Sequence, residues 1–324
     1  MNEIRVGLIG GTGLGEALGA GTSGTRHDVD TPFGKPSDAI VETNWEGLSV
    51  FVLSRHGPGH LLNPTQVPYR ANVFALKSLG CTHILASGAV GSLREEFKPR
   101  DLVLPDQVID KTFRRPATFY EKAAVHVEFA EPFDAVLRQI LVEAGQGSGF
   151  RGQGSVETGD SSSPEPRTLN PEPSLHDRAC YVCMEGPAFS TRAESLMHRL
   201  WGGDLIGMTV MPEAKLAREA EIPYALVALV TDYDCWKSRP AQGDALELLK
   251  EIMSNLKSAS ENAMALMRRA IELMPARGEQ LAQCAATDAL RLGIWSDKMR
   301  ISADEIERLR PLWGKYFENS RDVL

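Results

Sequence analysis

Tyr224-Ala225-Leu226-Val227-Ala228-Leu229-Val230 is an uninterrupted apolar run. A strand apolar at every position, not at alternate ones, must be covered on both faces. In a single chain that demands a largely parallel sheet with helices on either side. Where the run ends, Thr231-Asp232-Tyr233-Asp234-Cys235-Trp236 sets two carboxylates one residue apart. In open α/β sheets the carboxyl ends of the strands border the ligand crevice. A close like-charged pair raises the proton affinity of one member, as a general acid at neutral pH requires. Solvated loop acids or helix N-caps would read the same way in sequence.

The 324 residues suffice for one large α/β domain or two ordinary ones, and 43% hydrophobic with 24% charged residues suits a globular chain with a sizeable core. A net charge of −8 gives no electrostatic support to a nucleic-acid or anionic-membrane partner. No apolar run is long enough to span a bilayer. The chain enters a strand pattern at once, without signal-peptide features, and its five cysteines suggest a reducing compartment. The expectation is a cytoplasmic protein.

Along the chain, strand patterns end repeatedly in small or polar turns. Residues 4–9 lead into Gly10-Gly11-Thr12-Gly13-Leu14-Gly15, whose backbone N–H groups and Thr12 hydroxyl can face an anion. The spacing is not that of a dinucleotide fingerprint, since Glu16 follows Gly13 by three, and a tight turn without ligand fits equally well. Residues 49–53 lead into Ser54-Arg55-His56-Gly57-Pro58-Gly59-His60. A guanidinium fork with an adjacent imidazole suits a phosphate, although a surface loop with an incidental arginine has the same composition. His56 and His60 have helical metal-ligand spacing, but the intervening Gly-Pro-Gly forbids a helix; no metal is expected. A helix over 68–79 precedes a strand over 83–86 that opens into Ser87-Gly88-Ala89-Val90-Gly91-Ser92, a second turn able to approach an anion closely.

From 145 to 179 Gly, Ser, Pro, Glu and Thr dominate, and a disordered insertion is expected there. Cys180 and Cys183 would lie on opposite faces of a strand, without a second pair to complete a zinc site. A helix over 190–201, a strand over 205–209 and a helix over 213–220 lead back to the apolar run. Residues 244–274 form an amphipathic helix with Leu249, Ile252, Met253 and Leu256 on one stripe. Ser302-Ala303-Asp304-Glu305 has the capping-box pattern of a final helix. The expected organisation is one α/β domain over 1–274, a central mixed sheet flanked by helices, followed by a helical extension over 275–324.

GGTGLG at Gly10, DTPFGKPSD at Asp30, SRHGPGH at Ser54, AVGSLREE at Ala89, DQVIDKTFRRPATFY at Asp106, MEGPAFSTRAES at Met184 and TDYDCW at Thr231 together resemble the 5′-methylthioadenosine phosphorylases of the purine nucleoside phosphorylase superfamily. The resemblance runs from Ile4 to about Trp236. It implies phosphorolysis of 5′-methylthioadenosine to adenine and 5-methylthioribose 1-phosphate, with inorganic phosphate as co-substrate and no metal or organic cofactor. By matching position it implies a phosphate cradle of Thr12, Arg55, His56, Gly88, Ala89 and Thr209. The family commonly has a hydroxyl residue where Gly88 stands, so that contact would be through the backbone.

The resemblance further implies that Met208 packs on the ribose, Phe189 lies against the purine, and Ser190 sets specificity beside it. Asp232, Tyr233 and Asp234 would face the base. His126 would reach the 5′ end of the substrate in a neighbouring subunit of a homotrimer, and Ala245 with Leu248 and Leu249 would line the methylthio pocket. An ionised carboxylate accepts from an amine and repels a carbonyl oxygen, so the aspartates favour adenine. The superfamily's 6-oxopurine enzymes place an amide at the Asp232 position and a glutamate at Ser190, and this chain has neither. A methylthioinosine or general purine nucleoside phosphorylase, a hydrolytic nucleosidase and a non-catalytic nucleoside-binding protein are the competing readings.

Overall fold

The computed structural model describes residues 3–12, 23–146, 151–152, 173–237 and 245–318. Its strands, in chain order, are β1 (Arg5–Gly10), β2 (Thr25–His27), β3 (Ile40–Trp45), β4 (Leu48–Ser54), β5 (His83–Ser92) and β6 (Leu102–Val103). β7 (Gln107–Lys111), β8 (Arg151–Gly152), β9 (Ser174–His176), β10 (Cys180–Met184), β11 (Leu205–Gly207) and β12 (Tyr224–Tyr233) follow. The main helices are α1 (Tyr69–Ser78), α2 (Ala135–Gln146), α3 (Arg192–Leu200), α4 (Val210–Glu219) and α5 (Ala245–Leu273).

The strands form one mixed sheet in the order β2-β3-β4-β1-β5-β12-β6-β9-β8, with β11 on the far end of β5, β10 on β11 and β7 on β10. β4, β1, β5 and β12 pair in parallel at its centre, and residues 224–230 are fully buried, as an all-apolar strand requires. One core layer joins α1 and α4 to the sheet through Phe74, Leu76, Leu216 and Leu226. The other joins α2 and α5 through Leu137, Leu141, Leu266, Ile271 and Leu229. Each such side chain contributes about 1.5–3 kcal/mol by leaving water. The 275–324 segment enters these same layers: Leu281 and Cys284 lie in one, and Leu312 and Trp313 in the other.

Three expectations change. Residues 87–92 are not a turn: β5 runs through to Ser92 because β12 pairs with it from Ile84 to Ser92. Within the expected insertion, residues 145–146 close α2, 151–152 form β8 and 174–176 form β9. Leu175 and His176 are buried in β9, where the His176 ring sits 2.9 Å from the Asp101 carboxylate; residues 153–172 lie outside the described residues. On α5, Leu249 and Met253 are exposed, and the packed stripe is Leu256, Ala259, Ala263, Leu266, Met267 and Ala270, where the helix crosses the sheet.

Glu219, at the end of α4, is a buried carboxyl whose oxygen accepts from Phe119 N–H at 2.8 Å. Burial pushes its pKa up to about 7, against the pull of hydrogen bonds from Phe119 and Thr118. A folded-state pKa above the unfolded value removes stability as pH rises from about 4.5 through 7. Glu219→Gln is therefore expected to gain about 2–3 kcal/mol on wild type at pH 8 and almost nothing at pH 4.5. Urea unfolding at both pH values checks this; equal differences at the two would refute it.

Candidate active site

β1 pairs with β5 only as far as Ala86, and β11 joins the same edge of β5 only from Gly91. Between them, among the described residues, Ser87 to Val90 has no strand partner on that edge. β12 closes the other edge throughout. The result is a notch at the carboxyl end of β1, with backbone polar groups of β5 along its wall.

Side chains at the strand ends converge on this notch. Gly11 N–H donates to Ser87 Oγ at 3.2 Å, and Arg55 Nη1 donates to the Ser87 carbonyl at 2.7 Å. A Cβ at Gly11 would stand 2.7 Å from both Arg55 Nη1 and that carbonyl oxygen, so glycine alone lets the turn approach. Thr12 follows, half-buried; Gly13 to Gly15 lie outside the described residues. Thr209 Oγ1 lies against Gly88, 3.4 Å from where a Cβ would stand, and Ala89 is the next residue of the same wall.

Arg55 departs from the simple expectation. It is fully buried, and its fork grips Glu213 rather than facing the notch: Nε and Nη2 donate to the two carboxylate oxygens at 2.7 and 2.8 Å. Tyr224 Oη donates to the same carboxylate at 2.8 Å. Burial opposes the guanidinium charge, but Glu213 overcomes it and holds Arg55 protonated. An anion can be served only by N–H bonds on the terminal nitrogens beyond those already committed. His56 Nδ1 donates to the Leu62 carbonyl at 2.7 Å, and its ring stacks on His60 with centroids 4.2 Å apart. Burial, then the Arg55 charge, lower its pKa to about 4. The imidazole is therefore neutral at pH 7, with Nε2 an acceptor.

At the far end of the notch, Asp232 pairs with Gly91 across the ladder, and Asp234 N–H donates to the Ser92 carbonyl at 2.9 Å. Thr231 Oγ1 lies 2.9 Å from Asp232 Oδ1. Asp234 Oδ2 is buried with no hydrogen-bond partner among the described residues. Tyr233 does not join them: its hydroxyl donates to the Glu95 carbonyl, and its ring meets Trp236 edge-on beneath Lys237. Residues alternate faces along a strand, and Tyr233 falls on the other one.

A third wall comes from residues 184–190. Gly186, at φ 69°, lies so close to Met208 Sδ that a Cβ would stand 2.5 Å from it. Ser190 touches Met184 Sδ at 3.6 Å, and its carbonyl accepts from Cys235 Sγ at 3.3 Å, tying this loop to the aspartates. Phe189, 86% exposed, is not a core residue. His126 is exposed on a separate strap, its N–H on the Gly293 carbonyl and its ring on Trp295; within one chain it is not brought to the notch. Ala245 begins α5, and its side chain lies outside what is described.

Sequence reasoning passed over two buried ion pairs beneath this site. One is Arg55–Glu213. The other is Arg115–Glu185, whose arginine also donates to the carbonyls of Met208 and Met211 and so fixes the Met208 loop to the 184–190 loop. Burial works against the Glu185 charge, but hydrogen bonds from Thr65, Phe113 and Arg114, with Arg115, hold its pKa to about 2. A glutamate in the first turn of a helix reads as a dipole partner, so nothing local marked Glu213.

A parallel sheet with a notch at its strand ends, an arginine beneath one side and two carboxylates at the other defines a class: α/β proteins that take a small polar ligand beyond the carboxyl ends of their strands. The model of the phosphorylase superfamily matches residues 5–272. An S-methyl-5′-thioadenosine phosphorylase of Gloeobacter violaceus is 41% identical over 97% of this chain and 96% of its own length; one of Geobacter sulfurreducens is 41% identical over 97% and 99%. Among solved structures, a methylthioadenosine phosphorylase from an antarctic soil metagenomic library superposes with TM-score 0.81 at 39% identity, covering 96% of this chain and 99% of that one. The Schistosoma mansoni enzyme in complex with adenine gives 0.79 at 36%, covering 90% and 99%. The chain belongs to the phosphorylase superfamily and, within it, to the S-methyl-5′-thioadenosine phosphorylase family.

Removing the Glu213 carboxylate would leave the Arg55 charge buried without its partner. Glu213→Ala is expected to cost about 3–5 kcal/mol of unfolding free energy, measured by urea denaturation. A loss below about 1 kcal/mol would show that the pair does not hold the site together.

Proposed function

We infer that this chain catalyses phosphorolysis of 5′-methylthioadenosine, releasing adenine and 5-methylthioribose 1-phosphate. The observation that carries the reading is the arrangement along β5. Arg55 is bonded at Ser87, and the aspartates stand at Gly91 and Ser92, about 13–17 Å further along at the usual strand rise of about 3.3 Å per residue. That is the span of a phosphate, a sugar and a purine in a row.

Phosphate in the notch would lie among Thr12, Arg55, His56, the Gly88–Ala89 backbone and Thr209. The sugar would rest on Met208, and the base would lie between Phe189 with Ser190 and the aspartates. Breaking the glycosidic bond puts positive charge on the sugar and negative charge on the purine. The phosphate dianion stabilises the first and then attacks the anomeric carbon. A proton from Asp232 to the five-membered-ring nitrogen neutralises the second, a contribution of about a hundred- to ten-thousand-fold. Asp234 accepts from the exocyclic amine. Inorganic phosphate is the nucleophile, so the reaction as drawn calls for neither metal nor organic cofactor.

We extend the reading to a homotrimer in which His126 serves a neighbouring subunit's site. His126 with Trp295, and exposed Leu246, Leu249, Met253 and Leu292, are apolar surface that a second subunit would cover. The substrate is a small nucleoside rather than a nucleic acid. Five free thiols, with no helix among the described residues long and apolar enough to cross a membrane, support a cytoplasmic protein. We place the catalytic domain in residues 1–274, with 275–324 as its helical extension and 145–179 as an insertion within it.

Adenine release from 5′-methylthioadenosine is expected to require phosphate, and Asp232→Asn is expected to lose about a hundredfold or more of kcat while melting near the wild-type temperature. Equal release without phosphate would instead identify a hydrolase. Faster turnover of methylthioinosine would favour the 6-oxopurine reading.

A further inference from the structure

Arg115 is buried, and every one of its nitrogens is engaged by the protein. Nη1 donates to the Met208 carbonyl at 2.5 Å and the Met211 carbonyl at 2.6 Å, with Tyr69 Oη 3.2 Å away. Nη2 donates to the carbonyls of Met184 and Glu185, and Nε to Glu185 Oε1 at 3.1 Å. A guanidinium has no further N–H to offer. Arg55 keeps donors uncommitted for an anion; Arg115 keeps none.

Those acceptors belong to two segments of the site. Met208 and Met211 bracket Thr209, whose Oγ1 lies against Gly88. In a regular helix the Met208 carbonyl would accept from the N–H of residue 212, but Pro212 has none. Arg115 supplies a donor in its place, and Met211 keeps a non-helical backbone at φ −111° and ψ 135°. Met184 and Glu185 are the root of the loop that carries Phe189 and Ser190. The Glu185 carboxylate is fixed in turn by Thr65 Oγ1 at 2.7 Å and by the N–H groups of Phe113 at 2.8 Å and Arg114 at 3.2 Å. The segments meet again where Met208 Sδ fills the space a Cβ on Gly186 would need. One rigid planar cation therefore spans both, which a single ammonium nitrogen on a flexible stem does not do.

We propose that Arg115 is a positioning residue for the reaction: through the Met208 and Glu185 backbones it sets the separation between the sugar and phosphate side of the site and the purine side. This rests on the phosphorolysis reading above and names what holds its two halves in register. The anomeric carbon must lie in line between the attacking phosphate oxygen and the departing ring nitrogen, and a misplacement of about 1 Å costs about a hundredfold in rate. Each half-site is built from its own residues. A changed separation therefore slows the bond exchange without emptying either half.

The test compares the full chain with Arg115→Lys, which keeps a cation beside Glu185 but cannot reach both sets of carbonyls. The single-turnover rate of phosphate-dependent adenine release is expected to fall about ten- to a hundredfold, while the dissociation constants of adenine and of inorganic phosphate, each measured alone, stay within about threefold. If Arg115→Lys lacks a cooperative melting transition, Arg115→Met combined with Glu185→Gln decides the matter. That double variant leaves no charge of the pair buried alone, and its glutamine can still accept from Phe113 and Arg114 and donate to Thr65. The same split between rate and affinity is expected of it. A lower melting temperature with an unchanged single-turnover rate would make Arg115 a structural residue only, and a loss of adenine or phosphate affinity by the factor lost in rate would make it a binding residue. Either result overturns the proposal while leaving the function intact. A wild-type chain that releases no adenine with phosphate overturns both.

Discussion

The interaction on which the rest depends is the buried pairing of Arg55 with Glu213. Neither residue is exposed at all, and they lie 158 residues apart in the sequence: Arg55 follows β4, and Glu213 sits in the first turn of α4. Through the Ser87 carbonyl the same guanidinium holds β5, and through Tyr224 Oη the same carboxylate holds the start of β12. Four elements that border the notch therefore meet on one ion pair. Taking two charges out of water gains little stability by itself. What the pair provides is geometry: a cationic group with donors still uncommitted, unable to move, at the foot of an open strand edge.

That open edge comes from strand lengths rather than from any special loop. β5 outruns β1, and β11 reaches it only from Gly91, so the sheet itself supplies a notch with oriented backbone groups. Anion binding on preset dipoles needs little reorganisation when charge develops, which is the condition for large electrostatic stabilisation. His56 fits this scheme in a way sequence did not suggest. Held neutral, with its proton committed to Leu62, it presents a lone pair; a phosphate that carries a proton could donate to it, while the cationic contribution stays with Arg55.

Much of the architecture was legible because periodicity encodes burial. The all-apolar run at 224–230 announced a central parallel strand, and the small or polar ends of β1, β4 and β12 announced a crevice. The strand at 87–92 was not legible: its glycines read as a turn, and only pairing with β12, set by residues about 140 positions away, keeps it extended. The order at 174–176 was hidden for a similar reason, since Leu175 and His176 acquire their partners from β6 and Asp101. In the site, residue types were readable and their orientation was not. Arg55 looked like a free fork and is bound to a glutamate. Tyr233 lies between two aspartates in sequence, yet the pleat turns it to the other face.

The same distinction explains why the two aspartates need not be equivalent. Sequence offers two identical carboxyls one residue apart, and symmetry alone would let them share a proton evenly. The fold gives them different surroundings. Asp232 stands beside the Thr231 hydroxyl, whereas Asp234 Oδ2 is buried with no hydrogen-bond partner among the described residues. An environment that stabilises charge on one member pushes the proton to the other. Two carboxyls of one residue type are thereby distinguished by what each meets away from the notch, which sequence spacing does not encode.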